Sequence, residues 1–227
     1  MPGKASTKTS IAWVLLGLLV ALIATNILIR SLGDKDRHTP SQQPVIKDNA
    51  ATPDSLPVIS TVEPFSLTNQ NNALITHTQL LGKPWLADII FTRCPTFCPV
   101  LTQTMSQLRP KLPAELNYVT LTTDPAHDTP EILKAFATAH GSDGDNWHFL
   151  TGPKADLMKL AVDNLKLTAL AVEPEKRTNP NDLFVHSSLI MLVDAQGRVR
   201  KHFEYDAPEL LKNIRTALET LEKENDR

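Results

Sequence analysis

Residues 83–112 read KPWLADIIFTRCPTFCPVLTQTMSQLRPKL, and the order of chemistries along them decides the fold. KPWLADIIF (Lys83 to Phe91) is a short apolar run rich in β-formers, the pattern of a strand buried on both faces. PVLTQTMSQLRPKL (Pro99 to Leu112) repeats Leu101, Met105 and Leu108 at helical spacing, with Pro110 marking the end. Between strand and helix lie the only two cysteines of the chain, Cys94 and Cys98, each followed by proline.

Downstream, the same alternation continues. LNYVTLTTD (Leu116 to Asp124) reads as a second strand. TPEILKAFATAHG (Thr129 to Gly141) is a helix with a Thr cap, Pro at its first position, Glu131 in its first turn and Gly at its end. WHFLTG is a short strand, PKADLMKLAVDNL an amphipathic helix, and SSLIMLVDAQGRVRKHFEY two strands joined by a Gly-containing turn. APELLKNIRTALETLEKENDR closes the chain as a helix. This layout is α/β: a thioredoxin-like fold, with a central mixed sheet flanked by helices, spanning residues 58–227. Met105, Met158 and Met191 fall on apolar positions and read as core filling rather than thioether ligands.

Upstream of the domain the composition changes. Ile11 to Ile29 runs nineteen residues without a charge, after a short N-terminal tail of residues 1–10. As a helix this run reaches about 28 Å, close to the ~30 Å hydrocarbon layer. It is longer than a signal-peptide core and lacks a clean A-x-A-like site, so it predicts one N-terminal transmembrane anchor over 11–29. Residues 30–57, polar and dotted with proline, read as a flexible linker. Lys4 and Lys8 precede the span while Arg30, Lys35 and Arg37 follow it, so the positive-inside rule does not set the topology. The 227-residue chain has net charge −2 and no long block of one sign, which excludes a nucleic-acid partner.

The dithiol has three candidate uses. A structural disulfide across so small a loop contributes on the order of 2 kcal/mol, and a domain of this size forms a core without it. A redox couple and a soft-metal clamp therefore remain. Cys98 is expected at the N-cap of the helix with Pro99 at its first position, where the helix dipole favours thiolate. The C-x-x-x-C spacing is one residue wider than the C-x-x-C of thioredoxin-type enzymes, which tilts mildly toward chelation. LFVHSSLIMLVD places His186 just before an apolar strand, and no proline between Asn181 and Asp194 supplies the usual substrate-disulfide contact of thioredoxins. Two thiolates and one imidazole make a poor structural zinc site, but they suit Cu(I), and the nitrogen admits Cu(II). Asp124 and Asp128, in the loop after the second strand, are open to two readings: a shell that orients the ligands or a partner, or a turn capped by its own side chains. The reading of a turn is preferred. His127 shares that loop and is not counted a ligand, and the other histidines read as surface or packing residues.

The stretches GKPWLADIIFTRCPTFCPVLTQTM, LTTDPAHDTPEILKAFA and FVHSSLIMLVDAQGRV resemble the Sco/SenC family of copper chaperones, from about Val58 to the final helix. The resemblance implies a thioredoxin-like domain on the periplasmic, extracytoplasmic side of the cytoplasmic (inner) membrane, held by a single-pass helix. It implies copper, as Cu(I) or Cu(II), bound by Cys94, Cys98 and His186, with Cys94 and Cys98 also able to form a redox-active disulfide. Its implied partners are the copper-centre subunit of cytochrome c oxidase, whose CuA site such proteins help to build, and a thiol reductant. It implies a metallochaperone rather than an enzyme in the usual sense, with thiol–disulfide reductase activity as the alternative. Two positions depart from the family pattern. Val185 stands where many members carry an acidic residue before the histidine, and Asn71–Asn72 replace a Gly-containing turn. Asparagine tolerates left-handed backbone, so the second departure is expected to be neutral.

Overall fold

The structure, a computed structural model, describes residues 55–142, 144–176 and 184–226. The anchor expected at 11–29 and all but the end of the linker lie outside the described residues. Among the described residues no helix is long and apolar enough to cross a membrane.

Strand β4 (Trp85–Ile90) carries the organisation of the domain, and all six of its residues are buried. It pairs in parallel with β5 (Asn117–Thr122), which pairs in parallel with β6 (Trp147–Thr151). On its other side it pairs antiparallel with β9 (Leu189–Val193), which forms a hairpin with β10 (Arg198–Glu204) through the turn at Asp194–Gly197. Short strands β1 (Ser60–Thr61), β2 (Ser66–Asn69) and β3 (Leu74–Thr76) complete an eight-stranded mixed sheet in the order β1-β10-β9-β4-β5-β6-β2-β3. These three short strands escape a reading by periodicity because two to four residues are too few to establish an alternation.

Each face of the sheet has its own core, as the period of two along a strand demands. Leu86, Ile90, Tyr118, Trp147 and Phe149 pack beneath α2 (Phe97–Leu108), α3 (Pro130–Ala139) and α5 (Leu210–Asn225). Trp85, Ala87, Ile89, Val119 and Leu121 pack on the other face against Leu80 of α1 (His77–Leu80) and against α4 (Lys154–Met158), which runs on as a wide π turn over Lys159–Asn164. Met105 and Met191 are fully buried and Met158 packs on the second core, as core filling requires.

The signals read for α3 hold in detail. Thr129 caps α3 by accepting from the Ile132 amide, Pro130 opens it, and Gly141 follows it with φ +66°. Asn72 adopts φ +59° in the β2–β3 turn, where the Asn69 carboxamide accepts from the amides of Asn71 and Ala73. The expected tolerance of asparagine there is met.

The far end of the domain begins before Val58. Arg200 is buried at a β-bulge in β10 and donates to Asp194, Glu224 and the carbonyls of Leu56 and Pro57, while the Leu56 amide donates to Glu224. The last linker residues are thus packed onto the domain.

Candidate metal centre

Cys94 lies in the loop that leaves the C-terminal end of β4, and Cys98 lies in the first turn of α2. The helix begins at Phe97 with Thr96 as its cap residue, so Cys98 is the second helical residue and Pro99 the third. The expected cap position is therefore two residues too late. Both cysteines are thiols, not disulfide-bonded, and both are buried, Cys94 at 7% exposure and Cys98 at 0%. The Cys98 amide donates to Cys94 Sγ at 3.5 Å, and the Phe91 amide donates to Cys98 Sγ at 3.5 Å.

The electrostatics of Cys98 also correct an expectation. Burial pushes its thiol well above the ordinary range, and the Cys94 side chain and the charge of Asp88 add to the rise; the Phe91 amide only partly opposes it. Asp88 itself is fully buried on β4, on the sheet face of Leu86 and Ile90. Desolvation outweighs the helix dipole here because it acts on the whole charge, whereas the dipole supplies a fraction of one.

The loop carrying Cys94 is held from the side by the β5–α3 connection. Asp128, fully buried, accepts from the Thr92 amide (3.2 Å) and hydroxyl and from the Thr122 hydroxyl, and pairs with His127 Nδ1 at 3.0 Å. Asp124 pairs with Arg93, the residue immediately before Cys94. Asp124 and Asp128 also build their own turn, since the amides of His127 and Asp128 donate to the Asp124 carbonyl. The preferred reading of a self-capped turn is thus incomplete, because both carboxylates also reach the cysteine loop. Donor atoms of Asp124, His127 and Asp128 lie within 4.8 Å of one another. Arg93 and three hydroxyl or amide donors already occupy those carboxylates, so the trio reads as a clamp rather than a cation site. Thr92 and Arg93 were missed by sequence reasoning; their only signal was adjacency to Cys94.

On the helix side, Phe97 between the cysteines packs edge-on against Tyr205, with ring centroids 4.7 Å apart. The Tyr205 amide donates to the Ser188 carbonyl at 3.3 Å, two residues beyond His186. His186 does not simply precede the apolar strand: it ends a separate short strand, β8 (Phe184–His186), paired antiparallel with β7 (Ala169–Ala171) in the register Ala169↔His186. Because β9 runs antiparallel to β4, its start at Leu189 lies at the sheet edge where β4 exits toward Cys94. The backbone of His186 is three residues from that start; its imidazole lies outside the described residues.

A dithiol turn at the C-terminal edge of a central parallel strand, opening a helix, defines a thioredoxin-like thiol protein. The chain belongs to the SCO1/SenC family, whose model matches residues 54–221. It is similar to the SCO1 protein homolog of Bacillus subtilis, 37% identical over 146 residues that cover 63% of this chain and 72% of that one. A Stutzerimonas stutzeri protein named for copper binding is 30% identical over 151 residues, covering 65% of this chain and 71% of its own. Among solved structures, BsSco superposes with a TM-score of 0.62 at 31% identity, covering 74% of this chain and 97% of that chain; it is described as a Sco-family cytochrome c oxidase assembly protein with a disulfide switch.

Proposed function

We propose that this chain is a membrane-anchored copper chaperone for the CuA centre of cytochrome c oxidase, with Cys94, Cys98 and His186 as the copper ligands. The observation that carries the reading is the pair of buried thiols, joined by the Cys98 amide to Cys94 Sγ, at the edge where the His186 segment enters β9. The oxidase-assembly role of BsSco and the copper-binding name of the Stutzerimonas stutzeri relative support it.

Two sulfurs and one nitrogen form a soft, low-coordinate donor set of the kind that holds Cu(I) and admits Cu(II). Copper here is cargo. It displaces the thiol protons on binding, and it leaves by stepwise exchange onto the thiolates of the receiving subunit. Residues 11–29 anchor the protein in the cytoplasmic membrane and residues 30–57 tether a domain on its outer, periplasmic face, where a CuA site would be built. A separate reductant keeps the thiols reduced.

A second reading is favoured by the disulfide switch of BsSco. In it, Cys94 and Cys98 reduce a partner disulfide, losing two electrons and two protons as their own S–S bond forms.

Copper titration of the reduced full-length chain in detergent tests the first reading. The expected result is one copper per chain, abolished in Cys94→Ser/Cys98→Ser. His186→Ala separates the two readings: as a ligand, its loss lowers Cu(II) affinity sharply; in a reductase, it changes mainly the exchange rate. Uptake no greater than that of the double serine variant would remove the metal reading.

A further inference from the structure

We infer that Asp128, acting through Thr92, is a positioning residue that holds the Cys94 loop in its closed, metal-ready pose; the inference rests on the copper-ligand reading above. Thr92 lies two residues before Cys94, and both its amide and its hydroxyl are bound by one carboxylate. That carboxylate is itself anchored to the sheet. It is fully buried, it accepts from the Thr122 hydroxyl at the end of β5, and it opens the turn that Thr129 caps into α3. The loop is therefore referenced to the sheet and not to solvent.

The consequence falls on Cys94. Its sulfur stays buried beside the Cys98 amide only while the loop from Phe91 keeps its course. Releasing Thr92 removes two of the fixed points upstream of Cys94 and shifts load onto the partly exposed Arg93–Asp124 pair. The thiol then samples solvent, and the two sulfurs no longer meet a metal ion at a set separation. Groups that hold ligands in place typically contribute about 10–100-fold to metal affinity.

The experiment uses the reduced full-length chain in detergent and three variants: Thr92→Val, which keeps shape and loses the hydroxyl; Thr92→Ser, which restores it; and Asp128→Asn. Two readouts are taken: the alkylation rate of Cys94 without metal, and copper affinity by chelator competition with the Cu(II)–thiolate absorption band. Thr92→Val is expected to alkylate about tenfold faster and to bind copper about tenfold more weakly with a shifted band, with Thr92→Ser close to wild type. Asp128→Asn is expected to act in the same direction and more strongly. If it fails to fold, the threonine pair decides. A folded Thr92→Val with wild-type alkylation overturns the inference. Faster alkylation in a protein that takes up no copper sustains the clamp and removes the copper reading, so the two fail separately.

Discussion

At one end of the sheet Asp128 binds Thr92; at the other, Asp194 binds Arg198 and Arg200. Both aspartates are buried; Asp128 fastens a loop 36 residues away, whereas Asp194 holds its own hairpin, whose Arg200 in turn fastens Leu56 and Pro57. About 20 Å of strand separates them. Their partners differ in kind. Asp194 meets a guanidinium that is itself 3% exposed and shared with Glu224, so a cation and its counterions are buried together. Asp128 meets two hydroxyls, an amide and the part-exposed His127 imidazole, with no buried guanidinium among them. Removing one partner of a buried ion pair leaves a bare charge, whereas releasing a hydroxyl costs about one hydrogen bond. The Arg200 end fixes the entry of residues 56–57 onto the domain; the Cys94 end is held by bonds that each cost less to release.

The largest effect should come from breaking the ionic end. Arg200→Met is expected to lose about 3–5 kcal/mol in denaturant melts while leaving the thiol labelling rate of the folded protein unchanged. A loss below about 1 kcal/mol, or altered labelling, would erase the distinction between the ends. At the Cys94 end, Tyr205→Ala should cost roughly 1 kcal/mol and speed labelling of the cysteines, because Phe97 loses its edge contact. Tyr205→Phe keeps that ring and should behave as wild type; equal effects of the two would show that the hydroxyl, not the packing, matters. Smaller still is the strain at Glu209, which enters α5 with φ +61°. Glu209→Gly is expected to gain about 0.5–1 kcal/mol, read as a rise in melting temperature.

The least effect at neutral pH belongs to Cys98. Its folded pKa is raised above an ordinary value near 9. The unfolded chain therefore releases this proton first, and the stabilising contribution, complete below about pH 9, is lost as pH rises further. Stability curves of reduced wild type and Cys98→Ser should run parallel to pH 9 and converge above it; parallel curves throughout would contradict the buried thiol.

The strand–dithiol–helix order, the Thr129 cap and the β9–β10 hairpin were legible because each is written in contiguous residues. Pro99 misled: proline suits any position of the first turn, so it did not fix where α2 begins. The Cys98 charge state was misread because a dipole is visible in a sequence and the depth of burial is not. Thr92–Asp128 joins residues 36 apart, through groups with many alternative partners, and no periodicity announces it. Arg200 was hidden likewise, since a bulge turns it inward from a strand whose alternation reads it as unremarkable.

X-ray absorption at the copper edge, on the reduced full-length protein loaded with one equivalent, counts the sulfur and nitrogen neighbours directly. Two sulfurs and one imidazole nitrogen are expected, with the nitrogen replaced in His186→Ala and both sulfurs lost in Cys94→Ser/Cys98→Ser. A spectrum without sulfur, or one that His186→Ala leaves unchanged, would contradict the three-ligand site.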